Sequence, residues 1–285
     1  MKNESLNLKD TIKLQNDFIF GQTAIVNLAK ITGMPTRKGL EQAVISEGQI
    51  VNIVSNSYGH LPNDRFFMEV ERKLIDADIN YVKRSINREN RSFAVDYILQ
   101  DERYVVRVKN GKDKLKPMLR FVNSYDGSCK TSGSFGFYRE ICSNGLHVSH
   151  TEVGFSSKHT GNIVEVVIPE IKSLVYHFMS NEYYTLARKF EVLAERPITN
   201  INEFVKITAD HFKLFKFESS DKNPDPSANA RLVIDTINSE CALLKTAPNM
   251  WIGYNAFNDL LHSKLKKTFT LQSELDSKIF ELLSK

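Results

Sequence analysis

The sequence concentrates positive charge in residues 103–139, and the residue types of this segment suggest a chemistry. It contains nine Lys or Arg residues and two acidic ones, so it carries +7, whereas the whole chain carries +4. Alternate side chains of a strand point to opposite faces. In the run RYVVRVK, a strand therefore places Arg103, Arg107 and Lys109 on one face. A row of cations of this kind is suited to contacts with a phosphate backbone.

A second strand is predicted across a tight turn. Asn110 and Gly111 are a favoured pair for a two-residue hairpin, and residues 115–123 follow as a β-rich run. In this run Lys116 and Arg120 share one face. The alternation predicts buried side chains at Leu119, Phe121, Tyr104 and Val106, and exposed ones at Arg103, Arg107 and Arg120.

These side chains lead to a hypothesis of nucleic-acid binding. The residues expected to contact phosphates are Arg103, Arg107, Lys109, Lys116, Arg120 and Arg139. The aromatic residues expected to stack on bases, as in proteins that bind single strands, are Tyr125, Phe135 and Tyr138. Two other interpretations stay open. The cations form the solvated outer face of an antiparallel sheet, or they meet an acidic protein partner.

Cysteine and histidine residues next to this segment raise the question of a metal site. Cys142, His147 and His150 are separated by four and two residues, which does not match the usual spacing of zinc ligands. In a strand, His147 and His150 would also face opposite sides. We therefore expect no zinc at these positions or at Cys129, and we expect no other cofactor.

The sequence predicts no catalytic residue. Cys142 lacks an identifiable third group beside a His, and no Ser stands in a GxSxG motif. Residues 123–145 contain four glycines but neither GxxxxGK[ST] nor GxGxxG, so no motif supports a phosphate-binding loop there. A hydrolase with a pocket near residues 123–145 remains a third hypothesis, because distant residues can converge in a fold.

Length and composition limit the remaining classes. A chain of 285 residues allows one large domain or two modest ones, and 41% hydrophobic with 25% charged residues is typical of a globular protein. The apolar runs are far shorter than the roughly 18 residues that a membrane-spanning helix needs. The start MKNESLNLKD has no apolar signal segment, so we expect a cytoplasmic protein whose three cysteines are reduced.

The first part of the chain mixes helices and one strand. Residues 1–45 are predicted as an N-terminal helical segment, residues 49–54 as a strand, and residues 63–87 as a helix with one apolar stripe. Residues 91–168 change to a strand pattern that ends with the run IVEVVI. From Pro169 onward the pattern is helical.

This order of elements indicates the fold class. Runs of strands followed by runs of helices are typical of an α+β protein, here with a central curved antiparallel sheet at about residues 91–168. We expect an α+β core at residues 46–169, with a helical region at residues 170–285 packed on its sheet. Both parts, together with residues 1–45, are expected to form one compact unit.

The predicted final helix, residues 250–284, has an apolar stripe at steps of mostly three and four residues. The stripe consists of Leu261, Leu265, Phe269, Leu271, Leu275, Ile279 and Leu282. Such a stripe is typical of packing on the protein's own core. A contact between copies in a homo-oligomer is the alternative.

Four segments together resemble a known family. The central ones are NSYDGS at residues 123–128 and GFYREICSNGL at residues 136–146; the flanking ones are VSNSYGHLPND at residues 54–64 and WIGYNAFNDLLH at residues 251–262. They resemble the phage- and plasmid-encoded family classed as domain of unknown function 932. In the family's closing segment an acidic residue and a Tyr precede the His, whereas this chain has Asp259, Leu260 and Leu261.

The resemblance implies a phage or plasmid origin, a bacterial host cell, and a fold rich in antiparallel sheet and helices. It brings no established catalytic residues. The expected architecture is also similar to that of phage single-strand annealing proteins, which is an analogy of fold. The leading hypothesis is therefore a non-enzymatic protein that binds single-stranded nucleic acid, with a protein-interaction factor that modulates a host defence system as the alternative.

Overall fold

The computed structural model describes residues 22–108, 111, 113–139, 145–146, 154–179, 183–220, 223–265 and 267–285. Contacts divide the chain into two compact units. The first unit contains residues 1–100, 119–134 and 152–179, and the second contains residues 101–118, 135–151 and 180–285.

The first unit begins with a small antiparallel sheet in the order β1-β2-β3. Its elements are β1 Thr23–Asn27, α1 Leu28–Thr32, β2 Gln42–Ser46 and β3 Gln49–Val54. Glu47 and Gly48 join β2 to β3 with φ angles of 49° and 74°, the left-handed pair of a tight hairpin turn. The predicted strand at residues 49–54 is confirmed, whereas residues 23–27 form a strand where the pattern predicted a helix.

A larger antiparallel sheet follows, as predicted. Its strands are β4 Tyr81–Arg88, β5 Ser92–Leu99, β6 Val106–Val108, β7 Asp113–Ser124, β8 Thr131–Arg139, β9 Gly145–Leu146 and β10 Gly154–Ser157. The order is β10-β8-β7-β5-β4, while β6 pairs with β7 and β9 with β8. The long strands β7 and β8 contribute residues to both units. The α+β fold class is therefore confirmed.

Besides α1, the described residues of the first unit form two longer helices, α2 Asn63–Asp76 and α3 Ile163–Met179. In α2, buried Phe66, Val70 and Leu74 recur at helical spacing, and the ring of Phe66 lies 6.0 Å from that of Phe121 on the sheet. The apolar stripe of α2 therefore forms the core with the sheet.

The predicted helix at residues 63–87 is too long. The helix ends at Asp76, and Asp78 has a φ of 54°, outside the helical region. Residues 81–88 pair instead along their whole length with β5. The turn between these strands has positive φ at Glu89 and Asn90. Glu is an unusual residue for that conformation, so a hairpin at this position was hard to predict from the sequence.

The run IVEVVI was predicted as a strand and forms the start of α3 instead. Its β-branched residues favour strands locally, but the buried residues Ile163, Val167, Ile171 and Leu174 recur at steps of four and three. That helical period extends through Pro169, which lies inside the helix. Tertiary packing thus outweighs local propensity here.

The second unit is mainly helical, with a core of aromatic rings. Its elements are α4 Tyr183–Glu195, α5 Ile201–Phe212, β11 Glu218–Ser220, β12 Asn223–Pro226, α6 Ala228–Leu244, α7 Met250–Asp259, a π-helical turn Leu260–Lys264 and α8 Phe269–Ser284. The ring of Phe190 lies 5.1 Å from Phe137, 4.8 Å from Trp251 and 5.7 Å from Phe280. None of the described helices combines the length and apolar character of a membrane-spanning segment.

Candidate nucleic-acid interface

The hairpin of β6 and β7 presents cations on one face. Arg107 on β6 is the direct cross-strand partner of Lys114 on β7. Both side chains are exposed, and Lys116, two residues further along the same face, is half-buried. The alternating residues Val106 and Leu115 are buried. The predicted alternation is therefore confirmed for this part of the hairpin.

The residues before β6 form a 3₁₀ turn, Glu102–Tyr104, where a strand was predicted. The Asp101 carboxylate caps this turn by accepting a hydrogen bond of 2.9 Å from the Arg103 backbone N–H. The Arg103 side chain is 75% exposed, and its guanidinium lies 5.4 Å from the centre of the Tyr104 ring. Tyr104 is half-buried, so the prediction that it is buried is wrong. We call Arg103, Tyr104, Arg107, Lys114 and Lys116 the hairpin face.

The two arginines of the hairpin face have acidic neighbours. Arg103 donates to Asp101, and these hydrogen bonds lower the pKa of the Asp101 carboxyl. Arg107 Nη2 lies 3.1 Å from Glu102 Oε2, with both side chains largely exposed. Exposed ion pairs contribute little to stability because water and salt screen them. These two pairs therefore add little to stability, and each guanidinium has a carboxylate beside it.

Arg120 was predicted to be exposed, and that prediction is wrong. Its side chain is 3% exposed, and it donates to the Asp96 carboxylate at 2.5 and 2.9 Å. Arg84, the cross-strand partner of Asp96, donates to the same carboxylate at 2.7 Å. Both faces of β7 are covered here, because Met118 and Val122 are buried as well as Leu119 and Phe121.

Arg139 is also buried, in the second unit. It donates to Asp113 at 2.6 Å and to both oxygens of Glu240 at 2.7 and 2.8 Å. The Trp251 indole N–H donates to the same Asp113 oxygen at 2.8 Å. A guanidinium held by two buried carboxylates does not reach a phosphate at the surface.

Of the three aromatic residues predicted to stack on bases, two are buried. Tyr125 is packed beside Phe93, and its hydroxyl accepts a hydrogen bond of 2.8 Å from the Asn63 backbone N–H. Phe135 lies in the core against Phe137. Tyr138 is half-buried, and Lys109 lies outside the described residues. Of the residues predicted to contact nucleic acid, the hairpin face therefore contains Arg103, Arg107 and Lys116. It also contains Lys114 and Tyr104, which were not predicted as contacts.

A cluster of polar side chains that the sequence did not reveal surrounds Asn123 in the first unit. Asn123 donates to the Leu61 carbonyl and to Asn63 Oδ1 at 2.9 and 2.8 Å, and it accepts from Thr131 at 2.9 Å. Thr131 Oγ1 lies 3.1 Å from His159 Nε2. The segments at residues 54–64 and 123–128, quoted above for their resemblance, therefore meet here. The only signal was that both segments contain Asn and Tyr.

Two histidines and a tyrosine line this Asn123 cluster. The Tyr58 ring stacks on His159 with 5.2 Å between centres, and His60 Nε2 lies 2.9 Å from Thr23 Oγ1. Gly59 sits between them, where a Cβ would meet the Thr160 carbonyl oxygen at 1.6 Å. Only glycine allows the two loops to approach so closely.

Burial favours the neutral forms of the titratable side chains in the Asn123 cluster. Burial, followed by the neighbouring His159, lowers the pKa of His60 to about 4, and burial lowers the pKa of His159. Burial also raises the pKa of Tyr58 and of the nearby Cys129 thiol. Neutral imidazoles can act as bases, but a thiol kept protonated is a poor nucleophile. The Cys129 thiol is therefore not an activated nucleophile, and the hydrolase hypothesis stays a prediction.

The described residues contain no group of three or more His, Cys, Asp or Glu side chains that could hold a metal ion. Cys129 is buried and Cys241 half-buried, both as free thiols. Cys142, His147 and His150 lie outside the described residues, so the expectation of no zinc there stays a prediction.

The apolar stripe predicted for residues 250–284 is interrupted by the π-helical turn Leu260–Lys264. In α8, Phe269, Ile279 and Phe280 are buried within the second unit, while Leu271 is 40% exposed. Of the seven stripe residues, Leu261, Phe269 and Ile279 are buried, Leu265, Leu275 and Leu282 are half-buried, and Leu271 is exposed. The stripe therefore packs in part on the protein's own core.

Comparison with known proteins identifies the family. Residues 51–275 match the model of the family described as domain of unknown function (DUF932), and this range includes the hairpin face and most of the Asn123 cluster. No curated protein and no solved structure matches. The match covers well over half of the chain. The protein therefore belongs to the family of domain of unknown function 932.

Proposed function

We propose that the protein binds nucleic acid through the hairpin face. The observation that carries the proposal is the direct cross-strand pairing of Arg107 with Lys114, next to Lys116 on the same face. Like charges directly opposite one another destabilise a strand pair, and the Glu102 carboxylate beside Arg107 reduces this repulsion only in part, since both side chains are largely exposed. A polyanion compensates this repulsion, since each phosphate contact releases counterions and adds favourable free energy.

The aromatic residue beside these cations favours single strands. Tyr104 is half-buried, with the Arg103 guanidinium over its ring. Bases of a single strand can stack on such a ring, and the arginine adds a cation–π contribution. We therefore expect a single-stranded ligand to bind more tightly than a duplex, with little sequence preference. The function is that of a binding protein of phage or plasmid origin, acting in a bacterial cytoplasm.

The test is the salt dependence of binding, measured by fluorescence anisotropy with labelled oligothymidine, oligouridine and duplex DNA in parallel. The Arg107→Gln/Lys114→Gln/Lys116→Gln variant should bind all ligands more weakly. Its log–log slope against salt should be shallower by about two units, because single strands lose roughly 0.7 counterions per phosphate contact.

Arg72→Gln is the matched control. Arg72 is 47% exposed like Arg107, and it also pairs with a carboxylate, Glu69, at 2.8 Å. This variant should bind as the wild type does. Equal slopes for the wild type and the triple variant, or no binding of the wild type at low salt, would overturn the proposal.

A second candidate function is binding of an acidic protein partner. The ion pairs of Arg103 with Asp101 and of Arg107 with Glu102 favour it, because both guanidinium groups already bind carboxylates of the chain itself. A polyglutamate peptide that binds the wild type while all nucleic acids fail would support this candidate.

A further inference from the structure

A groove in the first unit lies apart from the hairpin face. It runs between the C-terminal end of α2 and the second half of α3 and has a volume of about 300 Å³. This is at the lower end of the range for small-molecule sites. Its lining residues are Lys73, Asp76, Ala77, Lys172, Val175 and Tyr176.

The helical spacing explains why these side chains meet. Residues three and four apart lie on the same face of a helix, as do Lys73 and Asp76 on α2 and Lys172 and Tyr176 on α3. Ala77 is the residue that follows the C-terminal end of α2. The two helices contact each other. Their facing rows therefore form the two walls of the groove.

One wall is an aromatic surface open to solvent. The Tyr176 side chain is 71% exposed, whereas the neighbouring Val175 is 5% exposed and closes the floor. Most exposed aromatic rings cover some apolar surface of their own protein, but this ring leaves most of its surface to water. A flat aromatic ligand can stack there and remove that surface from water.

The rim of the groove carries excess positive charge. Within the described part of the chain, Lys172 forms no ion pair, and its ammonium group is exposed. Lys73 Nζ lies 4.0 Å from Asp76 Oδ2, and Arg72 Nη1 lies 3.5 Å from the same oxygen. The lining therefore contains two ammonium groups, those of Lys73 and Lys172, and one carboxylate, that of Asp76. Arg72 does not line the groove and pairs with Glu69 at 2.8 Å. An anionic group of a ligand is favoured at the Lys172 side.

We propose that this groove binds a nucleoside monophosphate, with its base stacked on Tyr176 and its phosphate held by Lys172 and Lys73. The ligand class follows from the combination of a solvent-exposed ring, an apolar floor and uncompensated ammonium charge within one small groove. Asp76 offers an acceptor to a sugar hydroxyl. No residue of the hairpin face lines the groove, so this inference stands independently of the proposed function.

Saturation-transfer NMR on the full chain with adenosine monophosphate tests the inference. We expect transfer to the base protons, and a dissociation constant that rises by about fivefold or more in Tyr176→Leu, as loss of base stacking does. Tyr176→Phe should retain binding, and Lys172→Gln should weaken it. Adenosine and ribose phosphate, which each lack one half of the ligand, should both bind more weakly than the nucleotide.

Two control variants test whether nucleotide binding depends on cations outside the groove. Lys206→Gln removes an ammonium group that is 49% exposed on α5 and should leave nucleotide binding unchanged. The Arg107→Gln/Lys114→Gln/Lys116→Gln variant should do the same even if it loses oligonucleotide binding. Absence of nucleotide binding by the wild type overturns the inference. Nucleotide binding that survives Tyr176→Leu and Lys172→Gln together also overturns it. So does nucleotide binding that is lost only in the hairpin-face variant.

Discussion

At the scale of single residues, the arginines divide into two kinds that look alike in the sequence. Arg103 and Arg107 are exposed, whereas Arg120 and Arg139 each hold a buried carboxylate. The difference depends on partners that are distant along the chain. Asp96 is 24 residues from Arg120, and Glu240 is 101 residues from Arg139. Strand alternation alone cannot reveal such a partner.

Arg139→Met should destabilise the protein strongly. The change leaves Asp113 and Glu240 as buried carboxylates without their cation, which typically costs about 3–5 kcal/mol. The expected result is a large fall in the free energy of unfolding, measured by urea denaturation followed by circular dichroism. Lys206→Met, which breaks an exposed pair with Glu218, is the control and should hardly move the midpoint. Equal midpoints for the two variants would contradict the structural role of Arg139.

At the scale of elements, the sequence predicted those whose local pattern agrees with their tertiary environment. The strand Gln49–Val54 and the start of α2 at Asn63 were located correctly. Two other segments were assigned to the wrong class. Residues 81–88 form a strand because they pair with β5, and residues 163–168 form part of a helix because their apolar side chains pack at helical spacing. The hairpin face was predictable in part, since Arg107 and Lys116 follow alternation. The Asn123 cluster was not predictable, because it brings the loops at residues 58–61 and 159 to the strands β7 and β8, which are distant along the chain.

The loops of the Asn123 cluster should make stability depend on pH. The pKa of His60 falls from about 6.5 in the unfolded chain to about 4 in the fold. Between these values the unfolded state binds more protons, so stability is full above pH 6.5 and decreases as the pH falls toward 4. His159 acts in the same direction, because burial lowers its pKa as well.

Thermal melting followed by circular dichroism checks this prediction. The melting temperature of the wild type should fall between pH 6.5 and pH 4, and His60→Gln should reduce that fall. His211→Gln, at an exposed histidine on α5, should leave the pH dependence as it is. A His60→Gln variant with the full pH dependence of the wild type would contradict the assignment to this imidazole.

At the scale of the whole molecule, the two units are built from interleaved segments. The chain passes between them five times, since six successive segments alternate between the units. A fragment of residues 1–179 therefore lacks most of the second unit, including the Glu240 and Trp251 partners of Arg139 and Asp113.

We expect this fragment to lose fixed packing. It should bind a hydrophobic dye and show weak near-ultraviolet circular dichroism, the properties of a state without specific side-chain packing. The full chain, measured alongside, should show neither property. A fragment that unfolds cooperatively at the same temperature as the full chain would contradict the prediction.

The alternation of segments between the two units also restricts recombination between the genes of this family. A recombination crossover within residues 101–179 falls in the part of the chain where short segments alternate between the two units. The progeny then carries a mixture of parental residues in both hydrophobic cores, where packing tolerates few mismatches. Genes for such a protein are therefore expected to be inherited as whole cassettes, with diversity accumulating by point substitution at the surface.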